Sequence, residues 1–114
     1  MNAHGSKWIR RERRLAIYMR DAFRCAYCRR DLRNAPSREV TLDHLVTRAA
    51  GGSNLTDNLV TACLACNSSR SDTPLAQYAP PTTLVRIAAL VAQPLNMDLA
   101  RSIIAGRGQP IEEE

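Results

Sequence analysis

The sequence predicts a small α+β domain: two short strands and a following helix, stapled by a four-cysteine zinc site and flanked by helices at both ends. Three observations predict it. Two C-x-x-C pairs, Cys25/Cys28 and Cys63/Cys66, stand 34 residues apart and supply the four thiolates of a closed tetrahedral zinc site. Between them Val40, Leu42, His44 and Val46 alternate with Thr41, Asp43 and Leu45, the pattern of a strand over 39–46. Outside the pairs apolar residues recur at helical spacing, and a chain of 114 residues forms a single domain whose modest core gains from a metal.

Taken in order, residues 1–6 carry no pattern, and His4 reads as part of a disordered terminus. From Lys7 the residues Trp8, Leu15, Met19 and Ala22 recur at helical spacing with arginines between them, so the segment 7–24 opens with a basic amphipathic helix reaching about residue 20. Its apolar stripe belongs to the core and its arginine face is the candidate for phosphates. Arg24-Cys25-Ala26-Tyr27-Cys28-Arg29-Arg30 is a tight knuckle in which two thiolates reach one metal. Asn34-Ala35-Pro36-Ser37 is turn chemistry.

After the strand over 39–46, Ala49-Ala50-Gly51-Gly52-Ser53-Asn54 forms a loop whose glycines permit positive φ. Asn58-Leu59-Val60-Thr61 is long enough for a second strand, and residues 64–71 begin a helix, so the second cysteine pair lies where strand passes into helix. Thr73-Pro74 offers an N-cap with proline at the first helical position, starting a short helix toward Tyr78 that closes the core segment 25–78. Pro80-Pro81 breaks it. The C-terminal helices over 82–106 follow: Leu84, Ile87, Ala88 and Val91 mark one closed by Pro94, and Asn96 caps another that carries Leu99, Ile103 and Ile104 and ends at Gly106. Residues 107–114 fray. No internal repeat is present.

The formal charge is +5, and residues 7–38 hold 11 of the 16 basic residues against Glu12, Asp21 and Asp31. Such a surface serves a polyanionic partner or is simply solvated. Four thiolates and one Zn²⁺ together carry −2, which brings the formal +5 to +3. Residues 1–7 are polar and Trp8-Ile9 is followed by Arg10-Arg11, so the opening does not read as a signal peptide. No stretch has membrane-spanning length. A cytoplasmic setting favours a metal site over disulfides, and redox use of the C-x-x-C pairs would call for a βαβ context that is absent.

The ordered set Arg20-Asp21-Ala22-Phe23-Arg24-Cys25, Cys28, Asp43-His44, Gly51-Gly52, Asn58-Leu59 and Cys63-Leu64-Ala65-Cys66-Asn67 through Arg70 resembles the HNH endonucleases, in the four-cysteine branch of the His-Me finger (ββα-metal) nucleases. It covers about half the chain. The resemblance implies a ββα-metal core in which His44 is the general base, Asn58 orients it, and Asp43 and Asn67 bind one Mg²⁺ or Mn²⁺. The last letter of the motif is often His in the family, and the Asn67 oxygen found here suits harder ions. Arg24, Arg29, Arg30, Arg48 and Arg70 are the candidates for DNA phosphates, with a plain surface role as the alternative. Strict alternation puts Asp43 and His44 on opposite faces, so if both serve one site the strand must end, twist or bulge near Asp43.

These residues suit hydrolysis of a phosphodiester, which needs a base for water, a Lewis acid for the leaving 3′ oxygen and positive charge for the phosphate. With the resemblance, the expectation is a metal-dependent DNA endonuclease that nicks or cleaves, and the resemblance implies 5′-phosphate and 3′-hydroxyl ends. The alternatives are a zinc-stabilised nucleic-acid-binding module without catalysis, and a zinc adaptor for proteins. Proteins that resemble this one occur in bacteriophage and bacterial genomes beside packaging or mobile-element functions, which by analogy points to a larger DNA-processing complex such as phage packaging machinery; the two apolar helices after Pro81 either cover the core or form the face of a homodimer.

Overall fold

The computed structural model describes residues 9–107; the expectations for residues 1–8, His4 and Trp8 among them, and for 108–114 lie outside the described residues. The elements are α1 (Arg11–Arg20), β1 (Val40–His44), β2 (Leu59–Cys63), α2 (Leu64–Arg70), α3 (Leu75–Tyr78), α4 (Pro81–Val91) and α5 (Met97–Arg107). β1 and β2 pair antiparallel in an unbroken register from Val40↔Cys63 to His44↔Leu59. The fold is therefore α+β, with a two-stranded sheet and β1, β2 and α2 as its centre. No described helix is long and apolar enough to cross a membrane.

β2 is the axis of the molecule and every one of its residues is buried. Leu59 packs with Leu42 of β1, Ile17 of α1 and Ile9, while Val60 packs with Ala26 and with Ile87 of α4. A strand covered on both faces gains nothing from alternating polarity, which explains the continuous Leu-Val-Thr-Ala-Cys run. The strand thus extends past Thr61 to the first cysteine of the second pair. Ala62 and Cys63 join Cys25 and Leu32 in a further cluster, so the cysteines are themselves part of the core.

Several element boundaries differ from the expectation for a physical reason. α1 buries Ala16 and Ile17, while Leu15 and Met19 are only half-buried and Ala22 is exposed beyond the helix end. The helix stops at Arg20 because the Asp21 carboxylate turns inward to accept the Thr61 N–H at 2.8 Å and pairs with Arg20 at 2.8 Å. Ala22 and Phe23 then take left-handed φ of 57° and 56° to swing the chain into the knuckle. Arg20 also donates to the carbonyls of Thr56 and Leu59, and Arg13 to that of Asn54, so two of the helix's arginines tie the core together.

Pro74 stands at the N-cap of α3 rather than inside it. Pro80 and Pro81 do interrupt the chain, and they also begin α4 as its N-cap and first residue, where a fixed φ is already helical. Asn96 caps α5 by accepting the Leu99 N–H at 3.0 Å. In α5 Ala100 is buried and Leu99 is exposed. α4 and α5 cover the core, against β2 and α1 respectively.

Candidate functional site

The four cysteines converge from two elements. Cys25 and Cys28 sit in a turn held to β2 by the Ala26 N–H bonding the Thr61 carbonyl at 2.9 Å, and closed by Arg29, whose φ of 69° lets its N–H return to the Cys25 carbonyl at 3.0 Å. Cys63 ends β2 and caps α2, its sulfur accepting the Cys66 N–H at 3.4 Å. The N–H groups of Tyr27 and Cys28 point likewise at the Cys25 sulfur, at 3.4 and 3.5 Å.

All four sulfurs lie within 4.8 Å of one another, and those of Cys28 and Cys63 are 3.9 Å apart. Zn–S bonds of about 2.3 Å in a tetrahedron place sulfurs roughly 3.8 Å apart, so the set fits a closed, structural metal such as zinc. Burial raises the Cys25 thiol, but the backbone N–H groups of Cys28, Cys63 and Tyr27 outweigh it and hold the pKa below its ordinary value. Burial raises Cys28, against the Arg30 N–H, and burial followed by the neighbouring sulfurs raises Cys66 well above the ordinary thiol range. Cys25 therefore ionises more readily than Cys28 and Cys66, as expected where like charges meet and a cation can offset them.

Asp43 and His44 end β1. The strand ends at His44 without a bulge, and the two side chains meet different partners there. Asp43 turns toward α2, where its Oδ2 accepts Arg70 Nη1 at 2.7 Å and a short hydrogen bond from the Tyr27 hydroxyl. Asn67 lies on the same face, its Nδ2 donating to Thr41 Oγ1 at 2.9 Å and to the Leu42 carbonyl at 3.3 Å. Asp43 Oδ1 and Asn67 Oδ1 accept no hydrogen bond among the described residues, which leaves two hard oxygen donors that suit Mg²⁺ or Mn²⁺.

His44 turns instead toward the loop over 45–58, where its Nε2 lies 2.8 Å from Asn54 Oδ1. Arg48 Nη1 donates to the same oxygen at 3.2 Å. Because a guanidinium only donates, the shared atom must be the amide oxygen; a neutral His44 then carries its proton on Nε2 and its lone pair on Nδ1. The structure places the amide of Asn58, the residue expected to orient His44, elsewhere. Its Oδ1 accepts the Val46 N–H at 2.8 Å, and its Nδ2 donates to the carbonyls of Val46 and Ser53 at 3.1 and 2.8 Å. Asn58 thus fixes the backbone just after His44, and the side chain that meets the imidazole is Asn54.

The arginine candidates separate. Arg29, Arg30 and Arg48 are exposed, with Arg30 paired to Glu39 at 2.9 Å, and Arg24 is half-buried with a bond to the Arg29 carbonyl. Arg70 departs from the expected phosphate contact, being 0% exposed. Its guanidinium is spent on Asp43, the Tyr27 hydroxyl and the carbonyls of His44, Leu45 and Thr73. The short α2 makes this inevitable: one turn after Asn67 the helix faces β1, not solvent.

Sequence reasoning missed Tyr27, Asn54 and the inward turn of Arg70. Tyr27 carried a signal, since an aromatic between two metal ligands on a buried knuckle must pack somewhere. Its ring stands edge-on to Tyr78, with centroids 5.2 Å apart. Asn54 was hidden within a loop whose Gly-Gly-Ser-Asn composition reads equally well as turn chemistry.

Residues 25–76 match the family described as HNH endonuclease. The chain is also 41% identical over 61 residues to a CRISPR-associated endonuclease Cas9 of Corynebacterium diphtheriae; the aligned part is 53% of this chain and 5% of that protein. No solved structure matches the chain. The paired strands running into α2 and the four converging sulfurs agree with the family match: the segment 25–76 is similar to the HNH endonuclease family.

Proposed function

We propose that the domain is a metal-dependent DNA endonuclease that hydrolyses phosphodiester bonds with water activated by His44, leaving 5′-phosphate and 3′-hydroxyl ends. The observation that carries this reading is the end of β1, where a histidine oriented by Asn54 adjoins a carboxylate and an amide oxygen that suit a hard cation. His44 Nδ1 takes the proton of the attacking water, and Asn54 with Arg48 holds the ring. Asn58 fixes residues 45 and 46, so the strand end cannot swing. Asp43 and Asn67 would hold Mg²⁺ or Mn²⁺, which supplies Lewis-acid stabilisation of the leaving oxygen. Cys25, Cys28, Cys63 and Cys66 would hold a structural zinc, and the exposed Arg29, Arg30 and Arg48 would meet phosphates.

A second reading, a nucleic-acid-binding module without catalysis, draws support from the Asp43–Arg70 pair. That pair already neutralises the carboxylate and weakens its claim on a cation. Incubating zinc-loaded protein with supercoiled plasmid and Mg²⁺ or Mn²⁺ separates the two. The nuclease reading predicts nicked circles that a DNA ligase reseals. Retarded but unbroken plasmid at every metal concentration supports the binding module instead.

A further inference from the structure

We propose that Tyr27 is a positioning residue for Asp43: its hydroxyl, with the Arg70 guanidinium, occupies one carboxylate oxygen and so presents only the other to the divalent ion. This rests on the nuclease reading for its functional meaning and on geometry for its content. Tyr27 sits between Cys25 and Cys28, and its hydroxyl meets Asp43 across 16 positions of sequence. The phenol is the donor in this bond, since an ionised carboxylate only accepts. Arg70 Nη1 reaches both partners, Asp43 at 2.7 Å and the tyrosine oxygen at 3.3 Å, closing a three-membered group on Oδ2.

Two consequences follow from where these groups sit. Asp43 is 5% exposed and its carboxylate is gripped by one oxygen, so its rotation is restrained and Oδ1 is the atom left for a ligand. The grip also begins in the cysteine knuckle. The turn that places two sulfurs at the structural metal places the Tyr27 hydroxyl on Asp43, so order at the sulfur site becomes order at the oxygen site. Groups behind metal ligands commonly govern affinity in this way.

Tyr27→Phe tests this, because it keeps the ring against Tyr78 and removes only the hydroxyl. The control is Tyr78→Phe, which removes a hydroxyl from the same ring pair, one that bonds the Cys66 carbonyl at 3.3 Å. Mn²⁺ affinity of the zinc-loaded chain is read from the free-ion paramagnetic resonance signal, beside zinc content and plasmid nicking. Tyr27→Phe is expected to weaken Mn²⁺ binding about tenfold with zinc content unchanged, and excess Mn²⁺ should partly restore nicking. Tyr78→Phe is expected to bind Mn²⁺ as the parent does.

The proposal is overturned if Tyr27→Phe holds Mn²⁺ within about twofold of the parent, if it loses zinc in step with Mn²⁺, or if the parent binds no Mn²⁺. A parent that binds Mn²⁺ in a Tyr27-dependent way but nicks no plasmid removes the nuclease reading and leaves the Tyr27–Asp43 link standing. A parent that nicks while Tyr27→Phe binds Mn²⁺ normally removes the link alone.

Discussion

Arg70 and Arg48 look alike in the sequence and do opposite things in the fold. Arg70 is enclosed, with its charge matched by Asp43 and its remaining donors on backbone carbonyls, so its removal strands a buried carboxylate. Arg70→Ala should cost about 3–5 kcal/mol, visible as a lowered denaturation midpoint. Arg48 is exposed and stands beside His44 through their shared Asn54 oxygen. Arg48→Ala should leave stability within about 0.5 kcal/mol and reduce the salt dependence of DNA affinity by about one phosphate contact. Gel-shift titration at several salt concentrations, set beside thermal melts, reads both variants. The chemical types at the site were legible in the sequence because Asp, His, Asn and Cys each suit a narrow set of tasks. Partners were not: which asparagine meets His44 depends on how a loop of 14 residues folds back, and neither Asn54 nor Asn58 declares this by its neighbours.

At the scale of elements, the loop between β1 and β2 positions His44, and it depends on one glycine. A Cβ on Gly52 would stand 1.7 Å from the Val46 carbonyl oxygen and 2.6 Å from its carbon, both backbone atoms that cannot yield cheaply. The Gly52 N–H meanwhile bonds the Thr47 carbonyl at 2.8 Å. Gly52→Ala should therefore displace residues 46–54, destabilise the fold by about 1–3 kcal/mol and suppress nicking while the cysteine cluster still takes up zinc. Zinc content measured beside nicking checks this. Gly51 is the partner with φ of 89°, so the Gly-Gly pair combines a left-handed turn with a close approach, and both requirements were readable as a flexible loop. Helix faces were harder to read. The stripe of α1 was set by Asp21 turning onto β2, a tertiary event that apolar spacing does not register.

For the whole molecule, the small core is completed by its cysteines. Cys25 and Cys63 are buried beside Leu32 and Ala62, so losing a metal held there would also leave four sulfurs facing one another. Chelation of the metal should therefore unfold the domain, seen as loss of the far-ultraviolet helix signal, and readdition of zinc should restore it. The expected architecture of α+β core and flanking helices was legible because two C-x-x-C pairs and a strand run fix the connectivity. The basic surface is smaller than composition suggests: of the 16 basic residues, Arg20 and Arg70 have side chains 1% and 0% exposed.

Whether His44 activates water at the end of β1 is read from plasmid nicking by the parent and His44→Ala with Mg²⁺ or Mn²⁺. His44→Ala is expected to bind plasmid and zinc as the parent does and to nick about 10²–10⁴-fold more slowly. Equal nicking rates for the two proteins would contradict it.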